Sequence, residues 1–407
     1  MGILKIIFVI LLLTFILGEI ARLDLGNSLF LKLTDFIAVI LILAWLLKRF
    51  KKKTNKIFDG KLSFSIVLFI VIALVSLIVN IRHLSNVEFI VSFSYLVRWT
   101  LYIGLYYVVK SFPFEFKKKI IYILAISGAL FVLFGFIQYF FYSNLRNLYY
   151  LGWDDHMYRL FSTFLDPNFA GAFFVLYLIF LSGILLYFLK NKQNNLVILT
   201  VAVLLLTLLA TYLTFSRSAL IMLFVSLFSF FILIKKVRWI LVFILISLIF
   251  IALSSKNFYI ENMNLLRIAS TEARLDSAKN AIQIIKYNPI LGVGFNAYRY
   301  AQIRYGFRYG QNALISHADA GTDNSFLFVL ATTGFIGLLS FLYLLFCILR
   351  RAYANYKLSK YSEIRYFMSV IVIASFVGII IDSFFINSLF YTFNMIWLWI
   401  VVGLLDS

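Results

Sequence analysis

The chain has 407 residues, of which 63% are hydrophobic and 13% charged, and it carries a formal net charge of +20. Soluble domains are about 45–50% apolar and about 25% charged, so this composition excludes a soluble fold and makes lipid the solvent for most of the surface. So basic a soluble chain would point to nucleic acid; in a membrane chain basic loops that set topology account for the charge, and nucleic acid is not an expected partner.

Apolar runs fall near residues 3–18, 34–48, 62–80, 89–109, 119–142, 168–189, 196–214, 218–234, 239–254, 324–349, 366–384 and 388–405. A membrane-crossing helix needs about 20 apolar residues, so twelve of them would occupy about 240. The first run follows Lys5 as a signal-peptide core would, but Glu19-Ile20-Ala21-Arg22 offers no small-residue cleavage pattern, and the run is read as a retained helix. Cys347 is the single cysteine, inside an apolar run, and says nothing about redox compartment.

Charge orients these segments. Lys48, Arg49 and Lys51 to Lys53 follow the second run, Lys110 and Lys117 to Lys119 the fourth, and Lys190 and Lys192 the sixth. Lys235, Lys236 and Arg238 follow the eighth, and Arg350, Arg351, Lys357, Lys360 and Arg365 the tenth. Basic connections stay in the cytoplasm, which places both termini there and the other connections outside. The expectation is therefore an all-α integral membrane protein of about twelve transmembrane helices. It is one polytopic domain over residues 1–407, with a long extracytoplasmic loop at 255–323 between the ninth and tenth spans.

Four patches rich in chemistry fall on that outer side. The first runs from Arg159 through Asp166-Pro167-Asn168, where an N-cap aspartate and a proline at the first helical position start a helix. The same free N–H groups form a place for an anion, with Arg159 beside them. Thr214-Phe215-Ser216-Arg217-Ser218 puts an arginine on an outer turn, against the usual charge bias. In the long loop, Leu275, Ala278, Ile282 and Ile285 recur at helical spacing behind Arg274, predicting an amphipathic helix that stops at Pro289. Gly292, Gly294 and Ala297 match a degenerate dinucleotide fingerprint, but no strand precedes them. The fourth patch holds His317, Asp319, Asp323 and Asn324 ahead of the next span. His317 has the acidity of a base near neutral pH. One histidine with two loosely spaced carboxylates is a poor zinc set, and neither metal nor cofactor is expected.

Together these patches resemble the O-antigen ligase and O-antigen polymerase family of bacterial envelope glycosyltransferases. The resemblance rests on Arg159 to Asn168, Ser216-Arg217-Ser218, Arg274, Asn288-Pro289 to Gly294, and Asp323-Asn324-Ser325 followed by Thr333-Gly334-Phe335-Ile336-Gly337, and spans about 120–345. It implies transfer of an oligosaccharide from undecaprenyl diphosphate to an acceptor sugar hydroxyl on the outer face of the cytoplasmic membrane. Arg217, Arg274 and Arg159 are then the diphosphate ligands, His317 or Asp323 the catalytic base, and Asn168, Ser216 and Asn324 supporting residues. Many ligases have a histidine immediately before the asparagine matching Asn324, and this chain has Asp323. That departure favours a polymerase of repeat units over a ligase joining glycan to lipid A-core. The implied partners are the lipid-linked donor, a glycan or lipid A-core acceptor, membrane lipid, and optionally a polysaccharide chain-length regulator. A transporter is the alternative of another class; it would carry functional charge inside its spans, where Arg98 is the candidate.

Overall fold

The computed structural model describes residues 2–27, 29–51, 60–236, 269–309, 321–361 and 363–406. Its long helices are α1 (Gly2–Leu17), α2 (Leu33–Lys51), α3 (Lys61–Val79), α4 (Asn86–Lys110), α5 (Phe114–Phe141), α6 (Pro167–Lys190), α7 (Asn194–Leu213) and α8 (Arg217–Leu233). After these come α9 (Ala269–Tyr287), the short α10 (Tyr298–Arg304), α11 (Ser325–Leu358), α12 (Ile364–Asp382) and α13 (Thr392–Gly403). Among the described residues, eight helices are long and apolar enough to cross a membrane, and α8 and α13 are shorter apolar helices. The all-α membrane class stands; the expected count of about twelve is not shown by the described residues. The second expected span is a helix of 19 residues that carries Asp35, Lys48, Arg49 and Lys51. The run at 239–254 lies outside the described residues, as do residues 255–268 and 310–320 of the expected loop.

An antiparallel hairpin not expected from the sequence pairs β1 (Arg22–Asp24) with β2 (Phe30–Lys32), with Arg22 facing Lys32. Strands of three residues are too short to show an alternation. The turn is set by Gly26, at φ 80°, whose N–H donates to the Asp24 carboxylate at 2.8 Å.

The core centres on α6, which is apolar on all sides and correspondingly buried. Phe173, Tyr177 and Phe180 pack edge-on to the Trp397 indole of α13 at 5.1–5.9 Å between centroids. On α5, Gly128 leaves room for the Tyr177 ring, since a Cβ there would lie 2.2 Å from it.

The connections before α2, α4, α6, α8, α11 and α13 meet at one end of the bundle. Thr163 Oγ1 donates to Ile16 O at 2.8 Å, Leu160 N to Leu213 O at 2.9 Å, Asn80 Nδ2 to Gly292 O at 3.0 Å, and Ser325 N to Ser383 O at 2.8 Å. At the opposite end lie Lys48, Arg49, Lys110, Lys190 and Lys357, each in the last turn of its helix.

Candidate active site

Four of the sequence patches converge at the first end. Helix α9 seats Ala281, Ile284 and Ile285 against Val293, Tyr298, Phe328 and Ala331. Of the expected stripe, Ile285 packs on this face, whereas Leu275 and Ile282 are 56% and 45% exposed. Steps of three and four residues fit neighbouring faces of one helix equally well. The buried face is the one whose smaller Ala281 lets α9 approach α11.

The glycine motifs explain each other. At Gly334 helix α11 breaks, with φ 67°. The segment after Pro289 repairs the broken ladder: Val293 N donates to Ala331 O at 2.9 Å, Gly294 N to Thr332 O at 3.0 Å, and Phe335 N to Pro289 O at 2.8 Å. Backbone groups at membrane depth need internal partners, and here two motifs supply them reciprocally. A Cβ on Gly334 would lie 2.1 Å from Ile290 O, and one on Gly292 2.4 Å from the Thr332 carbonyl carbon, so only glycine fits either place.

Residues 156–165 are strained. His156, Tyr158, Ser162 and Leu165 all have positive φ, between 43° and 56°. Such conformations cost about 1–3 kcal/mol each and persist where surrounding structure imposes them. The strained loop ends at Asp166, which caps α6 by accepting from Asn168 N at 2.7 Å and Phe169 N at 3.3 Å. Arg159 is buried beneath it, donating to Thr214 O at 2.8 Å and Asn168 Oδ1 at 3.1 Å. It joins the start of α6 to the turn before α8. Ser216 caps α8, and Arg217 projects from its first turn toward α9, reaching Thr271 Oγ1 at 3.2 Å. Asn324 caps α11 through Phe326 N and Leu327 N at 2.8 and 2.9 Å.

Two cavities meet between these elements. A central one of about 440 Å³ is lined by Glu19, Lys32, Arg98, His156, Asp166 and Arg274 among others. A second, of about 430 Å³, is lined by Arg217, Thr271, Leu275, Asn324, Leu327 and Phe384 among others. Arg274, Thr322 and Asp323 belong to both walls. Of the residues singled out in the sequence, Arg217, Arg274, Asp323 and Asn324 thus share the second cavity, while Asn168 lines the central one. Arg159 and Ser216 are buried behind these walls. His317 lies outside the described residues.

The central cavity also contains residues the sequence reading passed over. Lys32 Nζ is 2.5 Å from Glu19 Oε1 and 3.0 Å from Thr392 Oγ1. Arg98, which also lines this cavity, is 3.0 Å from Asp35 and donates to Phe30 O, so its charge is paired within the protein. The cavity is balanced in charge: Arg22, Lys32, Arg98 and Arg274 face Glu19, Asp154, Asp166 and Asp323. Burial pushes the Lys32 ammonium below its ordinary range, with Glu19 pulling it back. Burial likewise raises the Asp166 carboxyl, against the pull of its capped N–H groups and of Arg159 and Arg274. Arg22 could have been noticed by the logic applied to Arg217, as an arginine on an outer connection. Nothing local marks Glu19, Trp153 or His156. Among the described residues, no three His, Cys, Asp or Glu side chains are grouped as metal ligands.

The fold and site together define a helical membrane protein with a polar cavity at one end, opening beside an arginine-bearing apolar one. The O-antigen ligase family model matches residues 202–342. That segment carries Arg217, Arg274, the interlocked glycine motifs and Asp323, so the resemblance to the O-antigen ligase and polymerase family is borne out over it. No curated protein matches the chain.

Proposed function

We propose that this protein is a membrane glycosyltransferase that moves an oligosaccharide from undecaprenyl diphosphate to an acceptor sugar hydroxyl. The reaction takes place on the outer face of the cytoplasmic membrane. The observation that carries this reading is the wall shared by the two cavities, where Arg274 and Asp323 stand together. On one side of it an apolar cavity reaches exposed Leu275, Ile221 and Phe384, as a lipid-borne donor requires. On the other is a polar cavity fit for sugar.

In this reading Arg217 and Arg274 grip the diphosphate. The Asp323 carboxylate takes the proton of the acceptor hydroxyl as its oxygen bonds to the anomeric carbon. The bond from that carbon to the diphosphate oxygen breaks, and its electron pair leaves with the diphosphate. Negative charge grows on the leaving group, and the two guanidinium groups stabilise it without a metal. Arg159 acts one step back, holding the Thr214 carbonyl and Asn168 in place. His317 is the second candidate for the base.

The basic helix ends opposite the site support an extracytoplasmic site and cytoplasmic termini. Asp323 in the place of a ligase histidine favours polymerisation of O-antigen, capsule or exopolysaccharide units over ligation to lipid A-core. The transporter alternative loses its candidate, because Arg98 is paired with Asp35 and opens to the same cavity. Reconstituting the protein with undecaprenyl-diphosphate-linked repeat units tests the assignment. A ladder of longer lipid-linked glycans supports it, and unchanged substrate refutes it.

A further inference from the structure

The end of the bundle opposite the cavities carries a cluster that the proposed reaction does not use. Three helices far apart in sequence, α2, α4 and α11, bring cations and aromatic rings together there. The Arg49 guanidinium lies 5.4 Å from the Trp45 ring centre, and Trp45 stacks on Tyr107 at 6.3 Å. Tyr107 meets Tyr106 edge-on at 4.8 Å. The Tyr106 ring in turn has Lys110 Nζ at 5.7 Å and the Arg351 guanidinium at 5.9 Å. The rings are fixed: all three are buried, and Trp45 Nε1 donates to Ser111 Oγ at 3.1 Å.

This differs from the usual basic residues of a cytoplasmic helix end. Lys190 and Lys357, at the same end, are exposed, and solvated charge is all that a topology signal requires. Lys48, Arg49, Lys110 and Arg351 are half-buried. Lys48 Nζ itself is buried and has no hydrogen-bond partner in the protein. A buried ammonium beside further cations calls for an anion. Glu115, at the start of α5, is already engaged by Lys118 at 3.4 Å.

The surface next to Lys48 says what kind of anion fits. Ile40, Leu43 and Leu47 are exposed at helical spacing on α2, an apolar stripe that leads from the cations toward mid-membrane. A phosphate suits the cations, because guanidinium groups hold its oxygens by paired hydrogen bonds. Hydrocarbon chains suit the stripe. A zwitterionic headgroup would bring another cation into a cluster that is already positive. We propose that the ends of α2, α4 and α11 bind the headgroup of an anionic phospholipid. Lys48 and Arg49 hold its phosphate, Lys110 and Arg351 add positive field across the rings, and its acyl chains lie on Leu43 and Leu47. This inference does not rest on the glycosyltransferase reading.

The test adds phosphatidylglycerol or phosphatidylcholine to the full chain purified in a nonionic detergent. Native mass spectra count the lipids retained by each protein particle. Phosphatidylglycerol should be retained and phosphatidylcholine lost. Excess free glycerol phosphate should not displace the lipid, since it lacks the chains that Leu43 and Leu47 carry. Lys48→Gln and Arg49→Gln should each weaken retention about tenfold, the worth of one charge-assisted hydrogen bond. Lys190→Gln and Lys357→Gln should leave it unchanged. The spectra resolve folded particles, so a variant made in low yield still reports. In an Arg217→Ala background retention should persist; its loss there would place the lipid in the donor cavity and overturn this site. Equal retention of phosphatidylcholine, displacement by glycerol phosphate, or full retention in Lys48→Gln and Arg49→Gln would overturn it as well.

Discussion

Arg217 and Thr271 share a hydrogen bond of 3.2 Å, so the arginine at the head of α8 reaches across to the helix that carries Arg274. Both guanidinium groups line one cavity. Two like charges facing one space repel unless an anion stands between them. Inorganic pyrophosphate should therefore stabilise the purified protein, by about 2.7 kcal/mol at one hundred times its Kd. Thermal unfolding with and without pyrophosphate checks this: Tm should rise for the native chain and stay unchanged in Arg217→Ala or Arg274→Ala.

Asp166 gives the site a pH dependence. Its carboxyl is raised from 3.8 by burial, outweighing its capped N–H groups and the nearby arginines. Above pH 3.8 the folded state then binds more protons here than the unfolded state does. Stability falls as pH rises from 3.8 through the raised value, and beyond it this contribution is flat. Asp166→Asn keeps an oxygen for the cap and removes the titration. Tm measured against pH should decline more steeply in that window for the native chain than for the variant.

The interlocked glycines should be intolerant of change. Gly334→Ala places a Cβ 2.1 Å from Ile290 O at a residue with φ 67°. The left-handed backbone alone costs about 1–2 kcal/mol for an L-residue, and the clash adds to it. Folded protein recovered in detergent, followed by monodisperse elution, should drop sharply. Ala331→Gly, in the helical stretch before the break, should lose only about 1 kcal/mol.

Topology is checked by single cysteines in a Cys347→Ala background. An impermeant reagent applied outside intact cells should label a cysteine at Tyr305, on the site end, and spare those at Lys118 and Lys357. The reverse pattern would place the cavities in the cytoplasm.

Much of this fold was legible in the sequence because lipid imposes a coarse rule, long apolar runs punctuated by charge. The runs at 62–80 and 168–189 correspond to α3 and α6 within one residue at each end. What stayed hidden depends on distances across the chain. The hairpin at Arg22–Lys32 shows no period, and Lys32 is buried because Glu19 and Thr392 stand around it, partners 13 and 360 residues away. Arg217 was visible because an outer arginine breaks a charge rule, and Arg274 because it precedes a helical spacing and matches the family resemblance. His156 and Trp153 break no local rule, and strain at His156 has no sequence signature. On α9 periodicity identifies the helix, whereas its partner α11 selects which residues, Ala281, Ile284 and Ile285, are buried.

The central claim is that Arg217 and Arg274 hold a leaving diphosphate while Asp323 accepts a proton beside them. It is tested most directly by glycan chain length on gels, from cells lacking the native gene and expressing each variant at matched protein level. Alanine at either arginine should abolish long chains. Lysine should rescue poorly, since a point charge cannot replace the bidentate fork. Asp323→Asn removes the carboxylate while leaving the Asn324 cap of α11 in place, and should lower transfer by about 10²–10⁴-fold, the usual contribution of a general base. His317→Ala run alongside identifies the base if Asp323→Asn is mild. Near-normal chains from all of these variants would contradict the account and return the transporter reading.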